Sequence, residues 1–116
     1  MNHLESEEAL EFINKNKQNP DFILLDIRRK RDFQKNRIDG AINIPYFDED
    51  FDRKLKKLDR NKIYLVYYSA DAVSNITVET MDELDFKNVN KIAGGISRWH
   101  KNGLRIISSI KVDYVI

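Results

Sequence analysis

The sequence predicts one α/β domain with three layers, in which helices flank a central, mostly parallel sheet of about five strands. Two observations carry this prediction. Short apolar runs of strand length alternate along the 116 residues with segments whose apolar residues recur at helical spacing. Two of the runs, FILLDI and IYLVYY, are unbroken, as in strands that are covered on both faces. This alternation favours parallel strands joined by right-handed crossovers.

The strands are predicted from the apolar runs and from the residues that stop them. Pro45 stops the short run AINIP, and IYLVYY is the most apolar run and therefore the expected centre of the sheet. The predicted strands are residues 22–27, 41–45, 63–68 and 89–92.

The helices are predicted from apolar residues three and four positions apart and from their ends. Ser6 is a candidate cap of the first helix, and Gly103 is a candidate left-handed residue after the last one. The predicted helices lie within residues 6–17, 29–36, 48–58, 73–84 and 96–102.

The C-terminal residues have a different pattern. Ile110, Val112, Tyr114 and Ile116 alternate with other residues, and a period of two predicts an extra C-terminal strand. That strand would join the sheet edge or pair with another subunit as a homodimer. We therefore expect a single domain over residues 1–116, with a core at about 5–105 and an extension at 106–116.

Composition excludes several classes of function. The net charge of +1 implies no bulk attraction to nucleic acid or to a membrane, and no stretch approaches a membrane span. The chain has no cysteine, which excludes disulfides, thiolate metal sites and thiol catalysis. No residues have metal-ligand spacing, and we expect no metal and no cofactor. A soluble, cytoplasmic protein is the expectation.

Two separated motifs carry a resemblance to a known family. The first is LLDIRRKRDFQKNRIDGAINIP and the second is LDFKNVNKIAGGISRWHKNGL. Together they resemble the front and back signatures of rhodanese-like domains over residues 5–105. The matching signature residues are Asp26, Arg28, Gly40, Asn43, Pro45, Gly94, Gly95 and Trp99. Asn36, Arg37 and Asp39 depart from the family pattern.

The resemblance implies an active-site loop after the central strand. In the family a cysteine there carries a persulfide, and the loop Cys-Arg-x-Gly-x-Arg-Ser binds the anionic substrate. Here the corresponding residues are Tyr68, Ser69, Ala70, Asp71, Ala72, Val73 and Ser74, of which only Ser74 is kept. A phenol cannot form a persulfide, so the loop is expected to be degenerate, with no catalytic residue.

Asp71 stands where the family has glycine. Since aspartate is a favoured helix cap, we expect its carboxylate to accept from the N–H groups of the following helix and to fill the anion site from within. The alternative is an exposed loop acid without a role.

Other side chains are candidates for different chemistry. Tyr67 and Tyr68 should face opposite sides of the sheet, so at most one points to the loop. Ser69 or Ser74 would need a base, and the two histidines are His3 and His100, of which His100 is expected to face outward. Asp48, Glu49, Asp50 and Asp52 are more simply an acidic helix start than a di-carboxylate site. Arg28 is expected to pair with an acid such as Asp32.

The sequence thus predicts a non-catalytic rhodanese-like domain that binds an unknown protein partner or regulates an enzyme. One alternative is a rhodanese-related enzyme, either a sulfurtransferase or a hydrolase with a non-cysteine site in the same loop. Another is a homodimer built through the C-terminal strand, with function in a composite pocket.

Overall fold

The computed structural model describes residues 2–108, and within them it contains five strands and five helices. The strands are β1 (Asn2–Leu4), β2 (Phe22–Asp26), β3 (Ile42–Asn43), β4 (Ile63–Tyr67) and β5 (Asn88–Ile92). The helices are α1 (Ser6–Asn16), α2 (Lys30–Lys35), α3 (Phe51–Lys56), α4 (Ala72–Glu83) and α5 (Gly95–Lys101).

The five strands form one parallel sheet in the order β1-β5-β4-β2-β3. β4 lies at its centre, where Val66 pairs with Leu25 of β2 on one side and with Lys91 of β5 on the other. The predicted α/β fold is therefore confirmed, and so is the central place of IYLVYY. All the carboxyl ends of the strands meet at one edge, which is where sites form in such sheets.

Each face of the sheet is covered by a layer of helices, and the side chains of β4 alternate between the two cores that result. Tyr64 and Val66 pack with residues of α3 and α4, whereas Leu65 and Tyr67 pack with residues of α1 and α5. These four β4 side chains are fully buried. Burial on both faces explains why the strand reads as an unbroken apolar run.

The strand β1 was not predicted. Its three residues, Asn2–Leu4, pair in parallel with β5 and supply the fifth strand of the sheet. Two of the three side chains are exposed, so the segment has neither an apolar run nor an alternation to reveal it. The predicted strand at residues 110–116 lies outside the described residues, and before it Ile107 forms an antiparallel bridge with Arg37.

The predicted cap of α1 was wrong. Glu5, not Ser6, is the cap residue, and it forms a capping box in which its backbone N–H donates to Glu8 at 3.1 Å. Ser6 is the first helical residue and is buried. Among the helices of residues 2–108, none has the length and hydropathy needed to cross a membrane.

Candidate functional site

The candidate loop follows β4 at the carboxyl edge of the sheet. β4 ends at Tyr67, and α4 begins at Ala72. Tyr68 is half-buried and packs against the core on the α3 and α4 side, whereas Tyr67 belongs to the other core. The two tyrosines therefore face opposite sides, as expected from strand geometry.

A glycine turn packs directly against this loop. Gly94 and Gly95, at the start of α5, have φ values of +76° and +63°. A Cβ atom on Gly95 would lie 2.3 Å from the Tyr68 carbonyl oxygen. The N–H groups of Ile96 and Ser97 donate to the carbonyls of Tyr68 and Ser69 at 2.9 and 3.1 Å. Glycine at position 95 is needed for this close approach, because any side chain there would collide with the backbone of the loop.

The expectation that the Asp71 carboxylate accepts from the N–H groups of α4 was wrong. Asp71 is the cap residue of α4, but its carboxylate makes no capping hydrogen bond. The Oδ1 atom instead accepts from the Lys91 ammonium and, at 2.8 Å, from the Gly94 N–H. The hydrogen bond from Lys91 holds the pKa of Asp71 below its ordinary value, with help from Gly94 and the charge of Arg98. The donors are therefore β5 and the glycine turn, not the helix N-terminus.

Lys91 is the site residue that sequence reasoning missed. It lies on β5, its side chain is 2 % exposed, and its ammonium contacts the Asp71 carboxylate of the loop. The one signal in the sequence is a lysine inside the predicted strand at residues 89–92, because a lysine that is buried in a sheet requires an anionic partner.

The Asp-x-Arg signature forms a buried structural ion pair. Arg28 Nη2 lies 2.9 Å from Asp26 Oδ2, so the expected pairing with a nearby acid is confirmed, but the acid is Asp26 and not Asp32. Arg28 also donates to the Asn36 side chain at 3.2 Å and to its carbonyl. Asn43 Nδ2 donates to the carbonyls of Asp26 and Arg28 at 2.9 Å each. These residues tie β2 to its following segment and to β3, and each of the three guanidinium nitrogens makes at least one hydrogen bond.

The remaining signature residues also have structural surroundings. Trp99 is buried, and its Nε1 donates to the Arg105 carbonyl at 2.9 Å. Gly40 has a φ of +89°, and Pro45 is buried just after β3. None of the three contributes a reactive group to the loop.

Tyr67 and Tyr64, near the two ends of β4, are buried phenols. Tyr67 Oη accepts the Ile38 N–H at 3.1 Å, and burial followed by the charge of Asp26 raises its pKa. Tyr64 donates to the Asp59 carbonyl at 2.7 Å, and burial raises its pKa to about 12. Both phenols are therefore neutral at physiological pH and serve as packed, hydrogen-bonded core residues.

The serines of the loop differ in access. Ser74 is buried, and its hydroxyl donates to carbonyls of Ala70 and Asp71 at 3.3 and 3.1 Å. Ser69 lines a polar cavity of about 280 Å³ together with Asp32, Ser97 and the exposed His100. No hydrogen bond joins Ser69 to His100 within the described part of the chain. Ser69 is therefore the accessible hydroxyl, but it has no base bonded to it.

Aromatic residues gather beside the loop. The Phe47 ring lies 5.1 Å from the Tyr46 ring and 6.5 Å from the Tyr68 ring, measured between centroids. Phe47 is 56 % exposed, and the Arg29 guanidinium lies 5.5 Å from its ring centroid. We call Tyr46, Phe47 and Tyr68 the loop-side aromatic patch.

The acidic residues before α3 do not converge on a metal. Asp50 pairs with Arg53 and Lys54 at 3.2 and 3.3 Å. Within residues 2–108, no group of three or more histidine, cysteine, aspartate or glutamate side chains is arranged to hold an ion.

Comparison with known proteins agrees with this geometry. The family model for the rhodanese-like domain matches residues 6–102. The chain is 33% identical over 92 residues to the adenylyltransferase and sulfurtransferase UBA4 of Meyerozyma guilliermondii, covering 72% of this chain and 21% of that protein. It is 32% identical over 81 residues to a probable molybdopterin-synthase adenylyltransferase of Porphyra purpurea, covering 67% and 20%. The chain thus spans about a fifth of the length of these curated relatives.

Solved structures show the same fold. A rhodanese-related protein from Thermoplasma volcanium superposes with a TM-score of 0.75 at 24% identity, covering 92% of this chain and 98% of that one. The sheet order, the signature residues and the match over nearly the whole chain therefore lead to one conclusion. This chain belongs to the rhodanese-like domain family and is related to sulfurtransferases.

Proposed function

We propose that this chain is a non-catalytic rhodanese-like domain that acts in the cytoplasm as a protein-interaction or regulatory module. The side chain of residue 68 carries the proposal. A phenol stands directly after the central strand, where the family resemblance implies the sulfur-carrying cysteine, and the chain contains no cysteine. Because a phenol oxygen cannot form a persulfide, sulfur transfer through this loop has no atom on which to proceed.

A sulfur-transfer assay tests the catalytic half of the proposal. The purified chain is incubated with thiosulfate and cyanide, beside an active rhodanese and a blank without protein. We expect no thiocyanate above the blank. Thiocyanate formation that scales with the concentration of this chain would refute a non-catalytic role.

The loop-side aromatic patch supports the binding half of the proposal. Phe47, in this patch, is 56 % exposed. Ile76, on α4, lines a cavity together with Tyr46 of the patch and is 49 % exposed. Both are large apolar side chains. Aromatic residues are enriched at protein interfaces because they bury a large area for little loss of conformational entropy. We therefore assign the patch to an apolar segment of a partner protein.

Site-specific photo-crosslinking in the source cells tests this surface. Fractionation of the same cells tests whether the protein is cytoplasmic. A crosslinker at residue 47 is compared with one at residue 42, because Ile42 is similarly exposed at 47 % but lies on edge strand β3. We expect a partner protein to be captured from residue 47 and not from residue 42. The purified partner should bind the Phe47→Ala variant at least about tenfold more weakly than it binds the native chain, as for an interface hot spot. Equal capture from both positions, or unchanged affinity, would contradict the assignment.

The homodimer through the C-terminal strand also stays a proposal. The alternation at residues 110–116 supports it, since such a strand needs a partner edge. Light scattering should give a dimer for the full chain and a monomer for a chain that ends at Ser108. A monomeric full chain would exclude this arrangement.

A hydrolase that uses Ser69 is the second candidate function. The shared cavity of Ser69 and His100 favours it, whereas the missing hydrogen bond between them weighs against it. Hydrolysis of p-nitrophenyl acetate and p-nitrophenyl phosphate is compared for the Ser69→Ala and Ser97→Ala variants. Activity lost only in Ser69→Ala would favour the hydrolase over the binding module.

A further inference from the structure

Lys91 places a positive charge inside the domain. It lies on β5 between β1 and β4, paired in register with His3 and Val66. Its side chain is 2 % exposed, and within residues 2–108 its ammonium donates to Asp71 and to no other group. An ammonium removed from water in this way requires an anion beside it.

A second donor converges on the same point. The Gly94 N–H reaches Asp71 Oδ1 at 2.8 Å from the turn after β5. A cationic side chain and a backbone N–H on one oxygen make a charge-assisted site for a carboxylate or an oxyanion. The depressed pKa of Asp71 agrees with such surroundings.

The two sides of this contact differ in access to solvent. Lys91 is buried, whereas the Asp71 side chain is 41 % exposed. The donors therefore belong to β5 and the glycine turn, and the anion lies on the side of the loop that faces solvent. Removal of the Asp71 side chain would open a path from solvent to both donors.

We propose that Lys91 and the Gly94 N–H form an anion-binding site in which the Asp71 carboxylate is the resident ligand. A small carboxylate or oxyanion from solution binds these donors when the Asp71 side chain is absent. In the native chain the site is closed because the protein supplies its own anion. The inference concerns the loop of the proposed function but stands on different contacts, so either can fail alone.

Chemical rescue of stability tests the inference. The Asp71→Ala variant should melt roughly 8 °C below the native chain, because the buried ammonium loses its partner. Formate, acetate and phosphate are then titrated while the melting temperature is measured by circular dichroism. We expect a saturable increase of at least roughly 3 °C in Asp71→Ala.

Three controls separate binding from a general effect of salt. The native chain and Asp71→Asn keep a side chain in the site, and Asp71→Ala/Lys91→Met lacks the ammonium. All three should respond to the same salts only to the small extent that ionic strength explains. A response of Asp71→Ala no larger than theirs, or an equal rescue in the double variant, would overturn the proposal.

The test also holds when Asp71→Ala is unfolded in dilute buffer. The double variant should then fold, because an apolar side chain replaces the uncompensated charge. Formate should refold Asp71→Ala with a saturable dependence on concentration. Failure of all three anions to refold it, with the double variant folded, would refute the site. None of these measurements depends on whether the chain transfers sulfur.

Discussion

At the scale of single residues, the loop is defined by what each side chain bonds. Tyr68 brings no sulfur, Ser74 is tied to loop carbonyls, and Asp71 is held by Lys91 and Gly94. The Arg28 guanidinium donates hydrogen bonds to Asp26 and Asn36. Asp71 and Arg28 therefore each have a partner of opposite charge.

The Asp71–Lys91 pair should make stability depend on acid pH. The folded pKa of Asp71 lies below its unfolded value of 3.8, chiefly because Lys91 donates to it. Its contribution is therefore fully present above that unfolded value and is lost as the pH falls through the folded pKa. Urea denaturation at several pH values should show Asp71→Asn less stable than the native chain at pH 6, with the gap narrowing below pH 4.

Asp50→Asn is the matched control for that measurement. Asp50 also pairs with cations, but Arg53 and Lys54 are exposed, so we expect a loss of less than about 1 kcal/mol. An Asp71→Asn gap that does not narrow in acid would contradict the assigned ion pair.

Gly95 should be intolerant of a side chain. Gly95→Ala places Cβ against the Tyr68 carbonyl at a positive φ, and we expect a loss of about 3 kcal/mol in unfolding free energy. Gly103→Ala is the control, since Gly103 has a similar φ of +78° but no atom within 4 Å of the added Cβ. Its loss should be about 1 kcal/mol. Equal losses in urea denaturation would show that contact with the loop is unimportant.

At the scale of elements, the segment from β4 to α4 is held in place by the elements that surround it. Ile96 and Ser97 of α5 hold two carbonyls of the loop, and Asp71 is anchored to β5. The loop is thus bound to its neighbours from two sides. Contacts with β5 and α5 therefore maintain its shape.

Restoring the sulfur atom should not restore the reaction. In Tyr68→Cys the thiol would stand in a loop that lacks both arginines and carries the Asp71 carboxylate, so the positive charges that would lower the thiol pKa and attract an anionic donor are missing from the loop. We expect no thiocyanate above the native chain, together with slow alkylation of the thiol by iodoacetamide at pH 7. Turnover by this single variant would mean that the arginines and glycine of the family loop are dispensable.

At the scale of the whole molecule, one sheet separates two cores that share β4. Leu65 and Val66 are adjacent in sequence, fully buried, and belong to opposite cores. A perturbation of either face therefore acts on the same central strand. Cooperative unfolding of both layers is the physical consequence.

Substitutions on β4 should test that cooperativity. Leu65→Ala and Val66→Ala should each lower the unfolding free energy, by roughly 3 and 2 kcal/mol, with an unchanged urea m-value. Ile42→Ala, on edge strand β3 and 47 % exposed, should cost less than about 1 kcal/mol. A reduced m-value in one of the core variants would indicate layers that unfold separately.

The parts that the sequence predicts are those that depend on local periodicity. FILLDI and IYLVYY are recognisable as interior strands because burial on both faces requires continuous apolar residues. β1 escaped because three mostly exposed residues carry no period. The Asp71–Lys91 contact could not be predicted from the sequence, because the two residues are 20 positions apart and are brought together by the order of the strands in the sheet. Asp71 suggested an internal anion, but only the structure identifies its donors.

The enclosed phenol of Tyr67 has a consequence for optical studies of the domain. Its ring is fully buried, its oxygen accepts the Ile38 N–H, and its pKa lies above the ordinary 10.0. Tyrosinate absorbance from this ring should develop late in an alkaline titration, since ionisation in the folded state would create a charge between two packed layers. An alkaline ultraviolet titration should therefore show a late step that coincides with unfolding, which gives the domain an intrinsic absorbance reporter of its integrity.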